Sequence, residues 1–557
     1  MSNLLKKFYF IIFIIGFSTL SLASPLPGNL YTRDTVGTNG IVAAAHPEAA
    51  AIGVNIMKNG GNAIDAAVAT AFAIGILEPN ASGIGGGGFM LIKLANSKEP
   101  ILIDYRETAP QKAKLEFFSH SDLVFGAKSV AIPGNVAGLL TALEKYGTLS
   151  RKEVISPSVE IAKNGIIVSK NLADLLQDNY DKLSSFESTS AIYLKDGFLP
   201  YEEGDKIFNP DLANTLELII KEGKKGFYEG KIADSISSVV EENGGFLTKE
   251  DLKNYKVHTR KPVEGTYRGY KIISCSPPSS GGTHIIELLN IMENFDLTSN
   301  SFNSPENYHL WSEAMKLIFA DRAKYMGDPD FVDIPLDGLL SKEYAKNISK
   351  KIDPNKVMEE VTCGNPSKYE SGSTTHISVM DKDGNMVAIT QTLNLFWGSG
   401  IVAPGTGILL NNEMYDFSLE PNSKNVIVKG KKPLSSMAPT IVLDKENRPF
   451  LSIGSPGSSR IISALALTLS NIIDYNMPLQ LAIDAPRMTQ FEKGNLMVEG
   501  RIPYPTYEKL KKLGHKIDVK EEYDNYFGGV QAVQFDHKND ILIGGADPRR
   551  DGQAVGF

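Results

Sequence analysis

Two cysteines, Cys275 and Cys363, are all that this 557-residue chain contains. A disulfide framework therefore does not hold the fold, and a chain this long buries enough core without one. The two thiols could pair or both stay free. Neither sits in a CxxC pattern or beside a His-rich stretch, so neither is assigned chemistry. HExxH is missing, as is any run of carboxylates at metal-ligand spacing, so no metal and no cofactor is expected. There is no basic stripe, and a net charge of -8 argues against nucleic acid as a partner. That charge is too mild for an acidic tail or a disordered chain. No repeat of fixed period and no low-complexity tract occurs. Apolar content of 42% and charged content of 22% are those of an ordinary globular protein.

Long apolar runs are missing too, except at the start. Lys6 and Lys7 precede an apolar run over residues 8–20, followed by Ser21-Leu22-Ala23. This is the pattern of a secretory signal peptide cleaved after about Ala23. An anchor helix is the alternative, but the run is shorter than the ~20 residues that span a bilayer. Export to a periplasm or outside the cell is expected, with no membrane attachment after cleavage.

Periodicity predicts a helix over residues 47–59 and a second over 63–77 that is apolar all round, hence buried. The run Gly83-Ile84-Gly85-Gly86-Gly87-Gly88 lacks the strand–loop–helix context of a phosphate loop. Close backbone approach or a tight turn is the better account. Strands are expected near 89–94 and 101–105. The stretch 130–352 reads as mostly helical, interrupted by one strand over 265–273. Residues 353–373 read as an exposed boundary loop. After it the period changes to two, with strands near 374–380, 386–393, 408–411, 440–443 and 451–453 and a helix over 461–475. A helix over 502–512 and strands near 530–534 and 541–544 follow. One large α/β unit is expected, with sheets shared between its first strands and its last third.

Asp381-Lys382-Asp383-Gly384-Asn385 is a strong turn, with Gly384 suited to the left-handed position. Counting outward from Asp383 places Thr374 opposite Thr392. Facing residues come within reach of a hydroxyl–hydroxyl hydrogen bond. Alternation puts Thr374, His376 and Ser378 on one face and Ile377 and Val379 on the other. A threonine hydroxyl is a poor nucleophile unless a base adjoins it, and a free α-amine on the same residue can serve. That requires a chain break before Thr374.

Here the chain resembles the γ-glutamyltransferase family over nearly its whole length. The likeness rests on Asp104-Tyr105-Arg106-Glu107-Thr108-Ala109-Pro110, Ala131-Ile132-Pro133-Gly134-Asn135, Pro277-Pro278-Ser279-Ser280-Gly281-Gly282, Thr374-Thr375-His376, Leu434-Ser435-Ser436-Met437 and Gly454-Ser455-Pro456-Gly457. The resemblance implies a four-layer αββα N-terminal-nucleophile fold. It implies self-cleavage into a large subunit, residues 24–373, and a small one, residues 374–557, that stay together as a heterodimer. Thr374 would cut the precursor, then attack the γ-carbonyl of glutathione or a related γ-glutamyl compound. Water or an amine acceptor, an amino acid or peptide, would resolve the γ-glutamyl-enzyme.

Under that resemblance Arg106 binds the substrate α-carboxylate with its planar fork, and Ser435 and Ser436 add hydroxyl donors. Glu413, Asp416 and Asn394 offer acceptors to the α-ammonium, or Asn394 donates to the carboxylate. Thr392 hydrogen-bonds the Thr374 hydroxyl. The N–H groups of Gly457 and Ser458 form the oxyanion hole; the backbone angles needed there suit Gly457 better than Ser458. His376 is expected to be structural or pocket-lining, not a base. The connector over residues 417–432 is short where some relatives carry a lid, which implies a more open site. Two other readings remain. One is an acylase of the same fold acting on glutaryl or cephalosporin-type amides. The other is a noncatalytic secreted binding protein.

Overall fold

Two seven-stranded antiparallel sheets lie face to face at the centre of the computed structural model, which describes residues 33–359, 361 and 373–557. The first sheet runs Gln553–Gly556 (β14), Gly40–Ala44 (β2), Ser373–Asp381 (β8), Met386–Asn394 (β9), Gly87–Lys93 (β3), Ile101–Tyr105 (β4) and His258–Arg260 (β5). The second runs Thr35–Gly37 (β1), Ile541–Ala546 (β13), Gln531–Asp536 (β12), Pro449–Gly454 (β11), Thr440–Leu443 (β10), Tyr270–Ser274 (β7) and Val263–Tyr267 (β6). The expected signal peptide and Cys363 lie outside the described residues, and Cys275 is buried.

Helices cover both outer faces, giving the expected αββα order. On the first sheet pack Pro47–Lys58 (α1) and Ala63–Leu77 (α2). Val42, Ala44, Ile377, Val379, Val387 and Ile389 point to them and share one buried cluster with Ala67, Val68, Ala71 and Phe72. The start of α2 is set by a capping box, in which the Asn62 side chain accepts from Asp65 N–H and Asp65 accepts from Asn62 N–H. On the second sheet pack Gly281–Met292 (α3) and Arg460–Ile473 (α5), with Pro305–Tyr325 (α4) packed against α3. The opposite faces of the first sheet's strands contribute Ile41, Ala43, Phe89, Leu91, Met380 and Ala388 to a second cluster with Ile441, Ile453 and Val533. The period-two pattern is thus read from both sides, because both faces of each sheet are covered.

The hairpin register is as counted: Thr374 pairs with Thr392, His376 with Thr390 and Met380 with Met386. Gly384 takes φ +85°, and Asp381 accepts from the N–H groups of Asp383 and Asn385. Asp381 also accepts from Ala63 N–H at 3.0 Å, which ties the turn to the start of α2.

Three expectations change. The single strand over residues 265–273 is two strands, β6 and β7, joined at Arg268 and Gly269. Both carry positive φ, +50° and +88°, the signature of a two-residue hairpin turn without the usual Asn-Gly spelling. The boundary loop ends before Ser373, which already pairs with Asn394 at the start of β8. The pairing slips between Ser373 and Thr374, so a bulge sits at that link. The strand expected near 408–411 is only Ile408–Leu409, because Asn411 turns to bond Gly85 and Ala131.

Candidate active site

The bulge delivers Thr374 to the end of β8 with its hydroxyl donating to Thr392 Oγ1 at 3.3 Å. Thr392 Oγ1 also accepts from Asn394 N–H at 2.8 Å. Asn394 holds φ +80°, a conformation asparagine tolerates better than most residues, and so turns back over the strand end. The glycine run explains how close the chains come. A Cβ on Gly86 would lie 1.9 Å from the Thr392 carbonyl oxygen, and one on Gly88 2.5 Å from that of Thr390. None of residues 85–88 has positive φ, so close approach is what requires glycine there.

Arg106 follows β4 and is buried. Its guanidinium pairs with Glu413, with Asp416 at 2.5 Å and with Glu107 at 3.5 Å, and its Nε–H donates to the Pro433 carbonyl at 3.3 Å. Asn394 Nδ2 donates to the other Asp416 oxygen at 3.1 Å. Burial works against the charge on Arg106, but Glu413, Asp416 and Glu107 together hold it firmly protonated. Burial drives the Glu413 and Glu107 carboxyls upward, with Arg106 opposing. Asp104 positions the strand end. It accepts from Arg106 N–H, Arg260 and Lys432, and these two cations overcome burial to keep it ionised.

Ser435 and Ser436 face the same space. Ser435 is spliced to the 278–280 loop: its N–H donates to Pro278 O at 2.9 Å and its carbonyl accepts from Ser280 N–H at 2.8 Å. Met437 N–H donates to Ser435 Oγ at 3.0 Å. Gly457 and Ser458 lie just before α5, in the Gly454-to-Ser459 turn. Their φ values are +126° and +55°. The first is open only to glycine; the second is strained for serine. Among the described residues the Gly457 N–H donates to no partner.

These groups surround a cavity of about 630 Å³ lined by Arg106, Thr374, Thr392, Asn394, Glu413, Asp416, Ser435, Ser436 and Ser458, among others. Of the expected site residues, Gly457 alone does not line it. The short connector is a wall of this cavity and not a gap: Phe417, Ser418, Leu419, Glu420, Ser423 and Asn425 all line it. Asn425 clasps the connector, donating to Asp416 O at 2.6 Å and accepting from Leu434 N–H at 2.9 Å.

His376 lies away from the cavity, between the sheets. It bonds Thr390 Oγ1 at 2.8 Å and Ser378 Oγ at 3.0 Å, and burial pushes it down to about 3. It is neutral and structural. Glu107, Ser280, Arg322 and Asn425 were missed in the sequence. No local pattern assigns them these roles: Glu107 acts through Arg106, Ser280 and Arg322 meet Ser435 and Ser436 more than a hundred residues on, and Asn425 bonds Asp416 and Leu434 across an irregular connector that has no period to read. Among the described residues His309, Glu313 and His515 approach closely enough to hold a cation. None of the three lines the cavity, and each is already committed: His309 to His515 and Asp353 O, Glu313 to Lys316 and Met358 N–H.

Comparison with known proteins gives a consistent picture. Residues 49–557 match the family model described as Gamma-glutamyltranspeptidase. The chain is 43% identical to a glutathione hydrolase proenzyme of Escherichia coli, covering 92% of this chain and 90% of the relative. It is 39% identical to one of Bacillus subtilis, covering 95% and 93%. It superposes on the crystal structure of a cephalosporin acylase from Bacillus halodurans with a TM-score of 0.87 and 30% identity, covering 96% of this chain and 98% of that one.

Proposed function

Since the chain belongs to the γ-glutamyltranspeptidase family, we propose that it is a self-processing γ-glutamyl hydrolase and transferase acting on glutathione and related γ-glutamyl amides. The observation that carries this reading is the placement of the Thr374 hydroxyl, beside Thr392, at one cavity with Arg106, Glu413, Asp416 and the Ser435–Ser436 pair. In the precursor, Thr374 Oγ1 attacks the Ser373 carbonyl. The amide nitrogen leaves as the Thr374 α-amine, and water hydrolyses the ester that remains. The freed amine then takes the hydroxyl proton during each turnover. Gly457 and Ser458 N–H groups receive the oxyanion. The γ-glutamyl group presents its ammonium to Asp416 and Glu413 and its carboxylate to Arg106 and the serine hydroxyls. Water or an acceptor amine releases it.

Cutting before Thr374 would leave the two pieces joined. In the first sheet β8 pairs with β2 and β9 with β3, so every central ladder there runs between residues 24–373 and residues 374–557, apart from the hairpin itself. Export is inferred from residues 6–23. No helix of the described residues is long and apolar enough to cross a membrane.

An acylase of this fold is the second reading, favoured by the likeness to the cephalosporin acylase. Asp416, fixed by Arg106 and Asn394, argues for a substrate carrying an α-amine. Purified protein should give two bands on a denaturing gel, the smaller beginning at Thr374. It should cleave glutathione faster than a des-amino glutaryl analogue. A single mature band, or preference for the analogue, overturns the reading.

A further inference from the structure

Arg106, the cation expected to meet the substrate carboxylate, also holds the acids of the site together. One Arg106 guanidinium faces three carboxyl groups, and four of its five N–H donors have acceptors. A second guanidinium reaches the same cavity. Arg322, near the end of α4, lines it together with Ala323 and Met326. Its Nε–H donates to Ser280 Oγ at 2.9 Å and its Nη2–H donates to Ser436 Oγ at 2.9 Å. Among the described residues no carboxylate pairs with it, so its positive charge faces the cavity with hydroxyls as its hydrogen-bond partners.

An arginine can only donate. A serine oxygen that accepts from it is left with its own hydrogen to give. Among the described residues the one other partner near Ser436 Oγ, Ser280 Oγ, is 3.5 Å away, too far for a strong bond, so Ser436 is held as a donor toward the cavity, and the charge behind it strengthens that donation. Ser435 is held in the same sense by Met437 N–H. Ser280, the other partner of Arg322, donates through Oγ to the Ser435 carbonyl at 2.8 Å. One side chain thus steadies both members of the serine pair.

We infer that Arg322 is a positioning residue that sets specificity for an acyl group bearing a carboxylate next to its amine: it fixes Ser436 as a hydroxyl donor and supplies the unpaired positive charge that the carboxylate meets there. This rests on the proposed γ-glutamyl reading.

The test compares γ-glutamyl-p-nitroanilide with 4-aminobutyryl-p-nitroanilide, which differs by the carboxylate alone, in the processed enzyme. Wild type should prefer the first. In Arg322→Gln the ratio of kcat/KM between the two should fall by tenfold or more. The loss should lie in KM for the carboxylate-bearing substrate, with kcat changed less than threefold. Arg322→Lys, which keeps the charge, should recover part of the ratio. The double variant with Ser436→Ala should lose little more than Arg322→Gln alone. An equal loss on both substrates, or no loss, overturns the inference. So does a lysine variant no better than glutamine. If Arg322→Gln fails to mature, the lysine variant decides alone: a lowered ratio supports the role and a wild-type ratio rejects it. A wild type that does not discriminate between the substrates would instead sink the γ-glutamyl reading itself.

Discussion

The hydroxyl of Thr374 lies 3.3 Å from that of Thr392, across the mouth of one hairpin, and the Asn394 N–H already occupies one lone pair of Thr392. The second threonine is thereby oriented to accept from the first. Under the proposed mechanism it would hold the attacking oxygen in place both before and after the chain is cut.

Thr392→Val keeps the shape and removes that acceptor. Processing and turnover should both slow by about 10- to 100-fold, the effect of about 1.5–3 kcal/mol of lost hydrogen bonding in the transition state. The half-time of precursor conversion on a gel and kcat on a γ-glutamyl anilide measure it. Unaltered processing would remove Thr392 from the first reaction.

At the oxyanion turn the two positions should respond in opposite ways. Ser458→Gly relieves a left-handed serine and should add about 1 kcal/mol of stability, read from denaturant midpoints, while activity stays within threefold. Gly457→Ala forces a side chain into φ +126°, with its Cβ 3.1 Å from Gly528 Cα. It should cost about 100- to 1000-fold in kcat. Equal losses at both positions would make the Ser458 side chain, not the backbone, the donor.

Asn425→Ala opens the clasp between Asp416 and Leu434. KM for γ-glutamyl substrates should rise about tenfold as the connector wall loosens, with processing intact, because the clasp touches neither threonine. A steady-state rate series on the purified variant decides it. An unchanged KM would mean that the wall holds without the clasp.

His376 stays neutral inside the sheets down to about pH 3, while in the unfolded chain it protonates near 6.5. Its folded value is depressed, so its contribution is complete above pH 6.5. It is lost as pH falls from there toward 3, at about 1.4 kcal/mol per pH unit. His376→Gln keeps a polar group for Thr390 and Ser378 but has no proton to gain. Its unfolding free energy should fall less steeply with acid than wild type over pH 6 to 4. Parallel slopes would contradict the assignment of a buried neutral imidazole.

The residues of the hairpin were legible because strand alternation and a turn are local. Asp383 and Gly384 set the centre of symmetry, and the pairing of Thr374 with Thr392 follows by counting. The αββα order was implied only by resemblance. Its physical basis is that both faces of each sheet are apolar and need cover. Bulge and turn details escaped. The slip at Ser373 depends on Asn394 adopting positive φ, and the β6–β7 turn is spelled Arg-Gly.

Composition and local pattern determined an α/β chain with Thr374 set opposite Thr392 on a hairpin, while the enzyme reading came by resemblance. Tertiary structure alone decided what surrounds that threonine. Arg106 meets Glu413 and Asp416 about three hundred residues on, and Arg322 reaches Ser436 from α4, more than a hundred residues away. Such pairings are long-range electrostatics and hydrogen bonds. They depend on how two sheets and their helices stack, which no local periodicity encodes.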